Sequence, residues 1–127
     1  MILGIGTDIV TLKRIEALHE RYAERFAQRI LSETEMIEFA KHAQPARLLM
    51  KRFAAKEALA KAAGSGLRHP VSMSQMSVTH DALGKPAFQF SGELAGHFTQ
   101  MGVTAHHLSI SDERDVAVAF VILEGKN

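Results

Sequence analysis

The charged residues between positions 52 and 61 are the first whose spacing suggests chemistry. Glu57 and Lys61 stand four apart and would share a helix face, while Arg52 and Lys56 fall on nearly the opposite sector, between the directions of Leu49 and Leu59. A charge set among apolar neighbours is costly unless a partner or a ligand compensates it. This stretch must therefore meet more than solvent. The first half of the chain is also the more basic: residues 1–61 carry 11 Lys and Arg against 8 Asp and Glu, and the remainder 4 against 6. That half suits an anion-facing side, although a chance imbalance on a solvated surface gives the same count. Spacing alone leaves a plainer reading open, in which Glu57 and Lys61 are a helical pair contributing only about 0.3–0.5 kcal/mol.

Asp8 reads as a cap. It lies three residues before Thr11, where a carboxylate can cap the helix that follows. Arg14, Arg21, Arg25 and Arg29 line up beside Leu18 on a helical projection, with Glu16, Glu20 and Glu24 on the other side. Such segregation suits docking to an acidic surface, although a solvated face could look the same. The seven histidines are scattered, and His106 and His107 are adjacent on a strand pattern and point to opposite faces, so a zinc site is rejected. Gly4-Ile5-Gly6 and Gly64-Ser65-Gly66 are too short for a Walker loop or a dinucleotide fingerprint. With no cysteine, disulfides, thiolate metal sites and cysteine nucleophiles are all excluded.

These residues need elements to hold them. Ile2 to Val10 reads as a strand with Ile5, Thr7 and Ile9 on one face and Gly4, Gly6 and Asp8 on the other, where the glycines allow close approach. Leu12, Ile15, Leu18, Tyr22, Phe26 and Ile30 follow at helical spacing and predict one helix through the twenties. Ser32 and Glu35 have the spacing of a capping box and open a second helix that stops before Pro45. A third helix, Arg47 to about Ala63, ends at Gly64. Met76 to His80 and Ala87 to Phe90 are strands about the turn Gly84-Lys85-Pro86. A short helix from Leu94 to Met101 precedes a hairpin of Ala105–Ser111 and Val116–Glu124.

The pattern predicts one small α+β domain over residues 1–127, with a mainly antiparallel sheet and a central group of helices. The absence of a leader-like start and of a long apolar run predicts a cytoplasmic protein without membrane contact. With no Trp, one Tyr and a net charge of +1, stacking platforms for nucleic acid are scarce, and no nucleic-acid partner is expected. The last strand, Val116 to Leu123, is apolar on both faces, whereas a half-exposed strand should alternate. One face can cover the chain's own helices, and the other calls for a second copy.

Taken together, four segments resemble the bacterial holo-acyl-carrier-protein synthases. They are Gly4 to Val10 with Arg14-Ile15, Arg52-Phe53-Ala54-Ala55-Lys56-Glu57-Ala58 with the glycines that follow, Gly84-Lys85-Pro86, and Ile110 to Glu124. The resemblance runs in order along the whole chain. It implies transfer of 4'-phosphopantetheine from coenzyme A to a serine hydroxyl of an apo acyl carrier protein, leaving adenosine 3',5'-bisphosphate and serving fatty acid biosynthesis. It implies magnesium on Asp8 and Glu57, with Lys61 beside the reacting phosphate. Arg52, Phe53, Lys61, Gly64, Ser65, Gly66, Gly84, Lys85, Pro86, Ser111 and Asp112 are implied around coenzyme A. It gives the arginine stripe, with Leu18, to the carrier protein, and makes the working unit a homotrimer with shared sites. The general base stays open among Glu57, a magnesium-bound water and Glu113. A carrier-binding protein without activity would keep the arginines and not need Asp8 and Glu57. Ser65 stands where the family often has threonine, and Asp112 where many members have histidine, which removes any contact assigned to that histidine.

Overall fold

The computed structural model describes residues 1–126. Three strands, β1 (Ile2–Thr11), β4 (Val103–Asp112) and β5 (Val116–Gly125), form an antiparallel sheet in the order β1-β5-β4. A separate hairpin pairs β2 (Met76–His80) with β3 (Pro86–Phe90). The helices are α1 (Leu12–Tyr22), α2 (Glu24–Ile30), α3 (Glu33–Lys41), α4 (Pro45–Ala63) and α5 (Gly92–Gln100), with a 3-10 turn at Met73–Gln75. This is the predicted α+β class with its antiparallel sheet. No helix among the described residues is long and apolar enough to cross a membrane.

The core forms where α4 lies across the inner face of the three-stranded sheet. Ala54, Ala58 and Leu59 of α4 are buried there with Ala117, Ala119, Val121 and Leu123 of β5. Small residues on both sides let helix and strand backbones approach closely. A side chain on Gly4 or Gly6 would collide with the carbonyl oxygens of Ala62 and Ala58, so the glycine face of β1 is the one pressed on α4. α4 begins with Pro45 in its first turn and ends at Gly64, which takes the left-handed conformation at φ 82°. Gly84 and Gly102 also have positive φ, at the β2–β3 turn and after α5.

One expectation fails. The single helix through the twenties is two helices, because Ala23 adopts φ 52° and ψ −131° and turns the chain. The turn seats Ala27 and Ile30 in the core while Tyr22 is left exposed. The capping box is formed in full: Ser32 Oγ accepts from Glu35 N, and Ser32 N donates to Glu35.

Candidate active site

The sheet and α4 meet at Asp8 and Lys61. β1 carries Asp8 on the same face as Gly4 and Gly6, and the close approach of that face to α4 places it beside Lys61, whose Nζ donates to Asp8 Oδ1 at 3.0 Å and to the Thr7 carbonyl at 3.0 Å. Asp8 does not cap α1; the Thr11 hydroxyl does, accepting from Arg14 N. One turn before Lys61, the Glu57 carboxyl is held above its usual range by burial and then by the neighbouring Asp8, with Lys61 and Arg14 opposing. Arg14 lies over the Phe53 ring, 5.3 Å from its centre. Asp8, Glu57, Lys61, Arg14 and Phe53 are thus one cluster on the α4–β1 seam.

A cleft of about 330 Å3 opens beside Glu57, lined by Phe26, Arg29, Ile30, Phe53, Leu67, Ser72 and Met73. Next to it, Leu18, Tyr22, Arg25, Phe26 and Arg29 line a second hollow of similar size, so part of the predicted arginine stripe runs directly into the site. A larger groove of about 780 Å3 between α3 and the β2–β3 hairpin is lined by hydroxyls, amides and Glu33, without a Lys or Arg to hold a phosphate. The smaller cleft has the chemistry.

Gly64, Ser65 and Gly66 follow directly on α4, with Gly64 N bonded to Lys61 O and Gly66 N to Ala60 O. The remaining predicted contacts lie apart, and none borders the Glu57 cleft. Gly84, Lys85 and Pro86 sit at the hairpin turn that Asp81 organises by accepting from Leu83 N and Lys85 N. Asp112 shares a sheet row with Ala117 and Val10 and stands two strands, roughly 10 Å, from β1. Its carboxylate accepts from Arg47 at 2.8 Å. Ser111 pairs with Val118 on the outer face of the sheet.

Arg52 is turned inward. It is only 4% exposed, and its guanidinium donates to Glu35 and, through two nitrogens, to Glu38. The donors expected to grip a phosphate are already engaged inside the chain. The inference that Arg52 and Lys56 require partners holds; the partner is a carboxylate instead of a ligand. Lys56 is fully buried and donates to Glu35, Ile30 O and Met73 O, and burial pulls its ammonium down to about 8 against the opposing pull of Glu35. Sequence reading found Glu35 only as a capping residue. The unmet demand of two cations among apolar residues was the signal for its second role. Arg47, which ties the β4–β5 turn to α4, carried no such signal.

Among the described residues no group of three or more His, Cys, Asp or Glu gathers to hold a metal. The donor set still fits a hard cation completed by waters and phosphate oxygens: Glu57, its carboxyl held up by burial and then by Asp8, offers one carboxylate, and Asp8, bonded to a single lysine, offers the other.

A fold of this kind with this seam defines a 4'-phosphopantetheinyl transferase, and the model of the 4'-phosphopantetheinyl transferase superfamily matches residues 4–121. The holo-[acyl-carrier-protein] synthase of Nitrosospira multiformis is 61% identical over 124 residues, covering 98% of this chain and 99% of the relative. The crystal structure of the Neisseria meningitidis synthase superposes with a TM-score of 0.95 at 48% identity, covering 98% and 99% of the two chains. That of the Bacillus anthracis synthase, in complex with CoA (3',5'-ADP), gives 0.82 at 38% identity and 99% coverage of both. The chain belongs to the holo-acyl-carrier-protein synthase family of these enzymes.

Proposed function

We propose that the chain, working as one transferase domain, moves the 4'-phosphopantetheine arm of coenzyme A to a serine hydroxyl of an apo acyl carrier protein, releasing adenosine 3',5'-bisphosphate, in the cytoplasm and in support of fatty acid biosynthesis. The meeting of Asp8, Glu57 and Lys61 on one seam carries this reading. Asp8 and Glu57 are the residues that would hold magnesium, which when bound supplies positive charge to the pyrophosphate. Lys61 is half exposed and reaches Asp8 from α4, so its ammonium can also donate to a phosphoryl oxygen as charge builds there. Phe53 and the loop Gly64-Ser65-Gly66 flank that position, the ring as a wall and the glycines as backbone that a ligand can approach.

The arginines divide by place. Arg21, Arg25 and Arg29, with Leu18, form the surface for an acidic carrier, and Arg14 closes its inner end beside Glu57. Gly84-Lys85-Pro86, Ser111 and Asp112 are separate from the seam, which suits a site shared between subunits: one copy supplies Asp8, Glu57 and Lys61, another the hairpin turn and the end of β4. The outer sheet face supports association. Ile5 is 56%, Ile9 65% and Phe120 43% exposed, next to Val118, an apolar patch that a neighbouring copy would cover. A homotrimer is the assembly we assign to it.

The direct test is to incubate the protein with coenzyme A, magnesium and an apo carrier protein. The carrier should gain the mass of the phosphopantetheine arm on its serine, and the Glu57→Ala protein should add none. No mass gain with wild-type protein would end the proposal.

A further inference from the structure

Lys56 has no exposed surface, stands next to Glu57 in the chain, and has no part in the transfer as described. An ammonium has three N–H donors, and all three are engaged: to the Ile30 carbonyl at 2.7 Å, to the Met73 carbonyl at 2.9 Å, and to the Glu35 carboxylate. Glu35 is held in turn by Val78 N at 2.9 Å and by Arg52. Ile30 is the last residue of α2, and Met73 begins the 3-10 turn; both border the cleft beside Glu57. One side chain therefore ties two walls of that cleft to a point on α4 adjacent to its acidic residue.

Stability alone does not account for a charge here, because well-packed apolar residues often replace a buried ion pair at no loss. Directional bonds to two backbone carbonyls do what an apolar contact does not: they fix where α2 sits along α4. α2 also carries Arg25 and Arg29. We infer that Lys56, oriented by Glu35, is a positioning residue that sets the span from the carrier-docking helix α2 to Glu57 and so places the acceptor serine. The inference rests on the docking role proposed above for Arg25 and Arg29.

The test is the double variant Lys56→Met with Glu35→Gln, which removes both charges of the pair and leaves Arg52 its two bonds to Glu38. It should fold, with a circular dichroism spectrum like that of the wild type. Because small misplacements of reacting groups cost up to about a hundredfold, kcat with a folded carrier should fall by about ten- to a hundredfold and the KM for carrier should rise, while the KM for coenzyme A stays within about twofold. Lys56→Gln with Glu35→Gln restores an amide donor and should recover part of the loss. Unchanged carrier kinetics, or equal loss toward carrier and coenzyme A, would overturn the inference, as would failure of both variants to fold. Arg25→Glu separates the two readings: if it leaves the carrier KM unchanged, the docking role fails and this inference with it. If it raises that KM while the Lys56 variants behave like wild type, only the positioning role fails.

Discussion

Gly6 faces the Ala58 carbonyl so closely that a Cβ on Gly6 would lie 1.8 Å from its oxygen. The same geometry recurs one turn on, where Gly4 meets the Ala62 carbonyl at 1.9 Å. Since the obstacle is backbone on both sides, no rotamer change can relieve it. The seam between β1 and α4 exists only because these two positions lack side chains, and Asp8 is brought to Lys61 as the next residue on that face.

Gly6→Ala should therefore cost about 3 kcal/mol of stability, at the upper end for overpacking, and should abolish transfer even where the protein still folds, because Asp8 is carried away from Glu57. Gly96→Ala is the control. It lies within α5 with nothing near its Cβ position, and should stabilise by about 0.5–1 kcal/mol. Urea unfolding of both variants checks the contrast, and equal effects would contradict the seam.

How much of this was legible depended on whether the signal was local. The glycine face of β1, the capping box at Ser32 and the Gly64 stop on α4 are written in neighbouring residues and form as read. The break at Ala23 is not, since alanine is a strong helix former and nothing beside it marks a positive φ. The turn at Gly84-Lys85-Pro86 marks β2 and β3 as strands, but a local turn signal says nothing about which sheet a strand joins, and among the described residues they pair only with each other. Spacing leaves Glu57 and Lys61 open to being a simple helical pair, because only the fold shows that Asp8 lies beside Lys61. The ion pairs of Arg52 are illegible for the same reason: its partners are on α3, and Glu35 lies 17 positions away.

Ala23→Gly should stabilise the protein by about 1 kcal/mol, since glycine accepts the left-handed backbone that an L side chain resists. Thermal melting is the measurement. A lower melting temperature would mean that the turn between α1 and α2 is relaxed with alanine in place.

The raised Glu57 carboxyl gives a sign for metal and pH. Its folded pKa lies above the unfolded one, so the folded chain takes up a proton first, and the fold loses stability as pH rises through that raised value and the charge meets Asp8. A cation on the pair removes this penalty. Magnesium should raise the melting temperature at neutral pH, by about 2.7 kcal/mol of stabilisation at a hundred times its Kd. The increment should shrink as pH falls and Glu57 protonates, and should be much reduced in Glu57→Gln. A magnesium effect that survives Glu57→Gln undiminished would place the ion elsewhere.

His106 acts in the opposite pH range. Its Nδ1 is buried without a hydrogen-bond partner among the described residues, and its ring stands edge-on to Phe88 and Phe90. Burial, then His107, holds its pKa below the ordinary 6.5. The unfolded chain therefore binds this proton first, and stability falls as pH drops from about 6.5 through the lowered folded value. His80, also lowered, contributes in the same direction. The urea midpoint should decline less between pH 7.5 and 5 in His106→Phe, which fits the aromatic cluster, than in wild type. Parallel declines would show that His106 is not a source of the acid sensitivity.

The outer sheet face makes the last prediction. β5 is central, yet it is covered on one side only: Ala117, Ala119, Val121 and Leu123 are buried under α4, while Val118 and Phe120 face outward in register with Ile9 and Thr7 of β1. Solvent contact over such a patch is unfavourable by roughly 25 cal/mol per Å2 of apolar surface, and a neighbouring copy removes it for both partners. Sedimentation should give about three times the 14.0 kDa chain mass for the wild type, and Phe120→Glu should shift it to the monomer with loss of transfer. If the site is shared, an inactive Glu57→Ala chain and an inactive Lys85→Ala chain fail at different subunits' contributions. Mixed and reassembled, they should regain some activity, because some sites then combine an intact Glu57 with an intact Lys85. Arg52 is unsuitable for this experiment, since it is bonded within its own subunit. A fully active Phe120→Glu monomer, or a mixture with no recovery although exchange is shown by mass, would place the whole site within one chain.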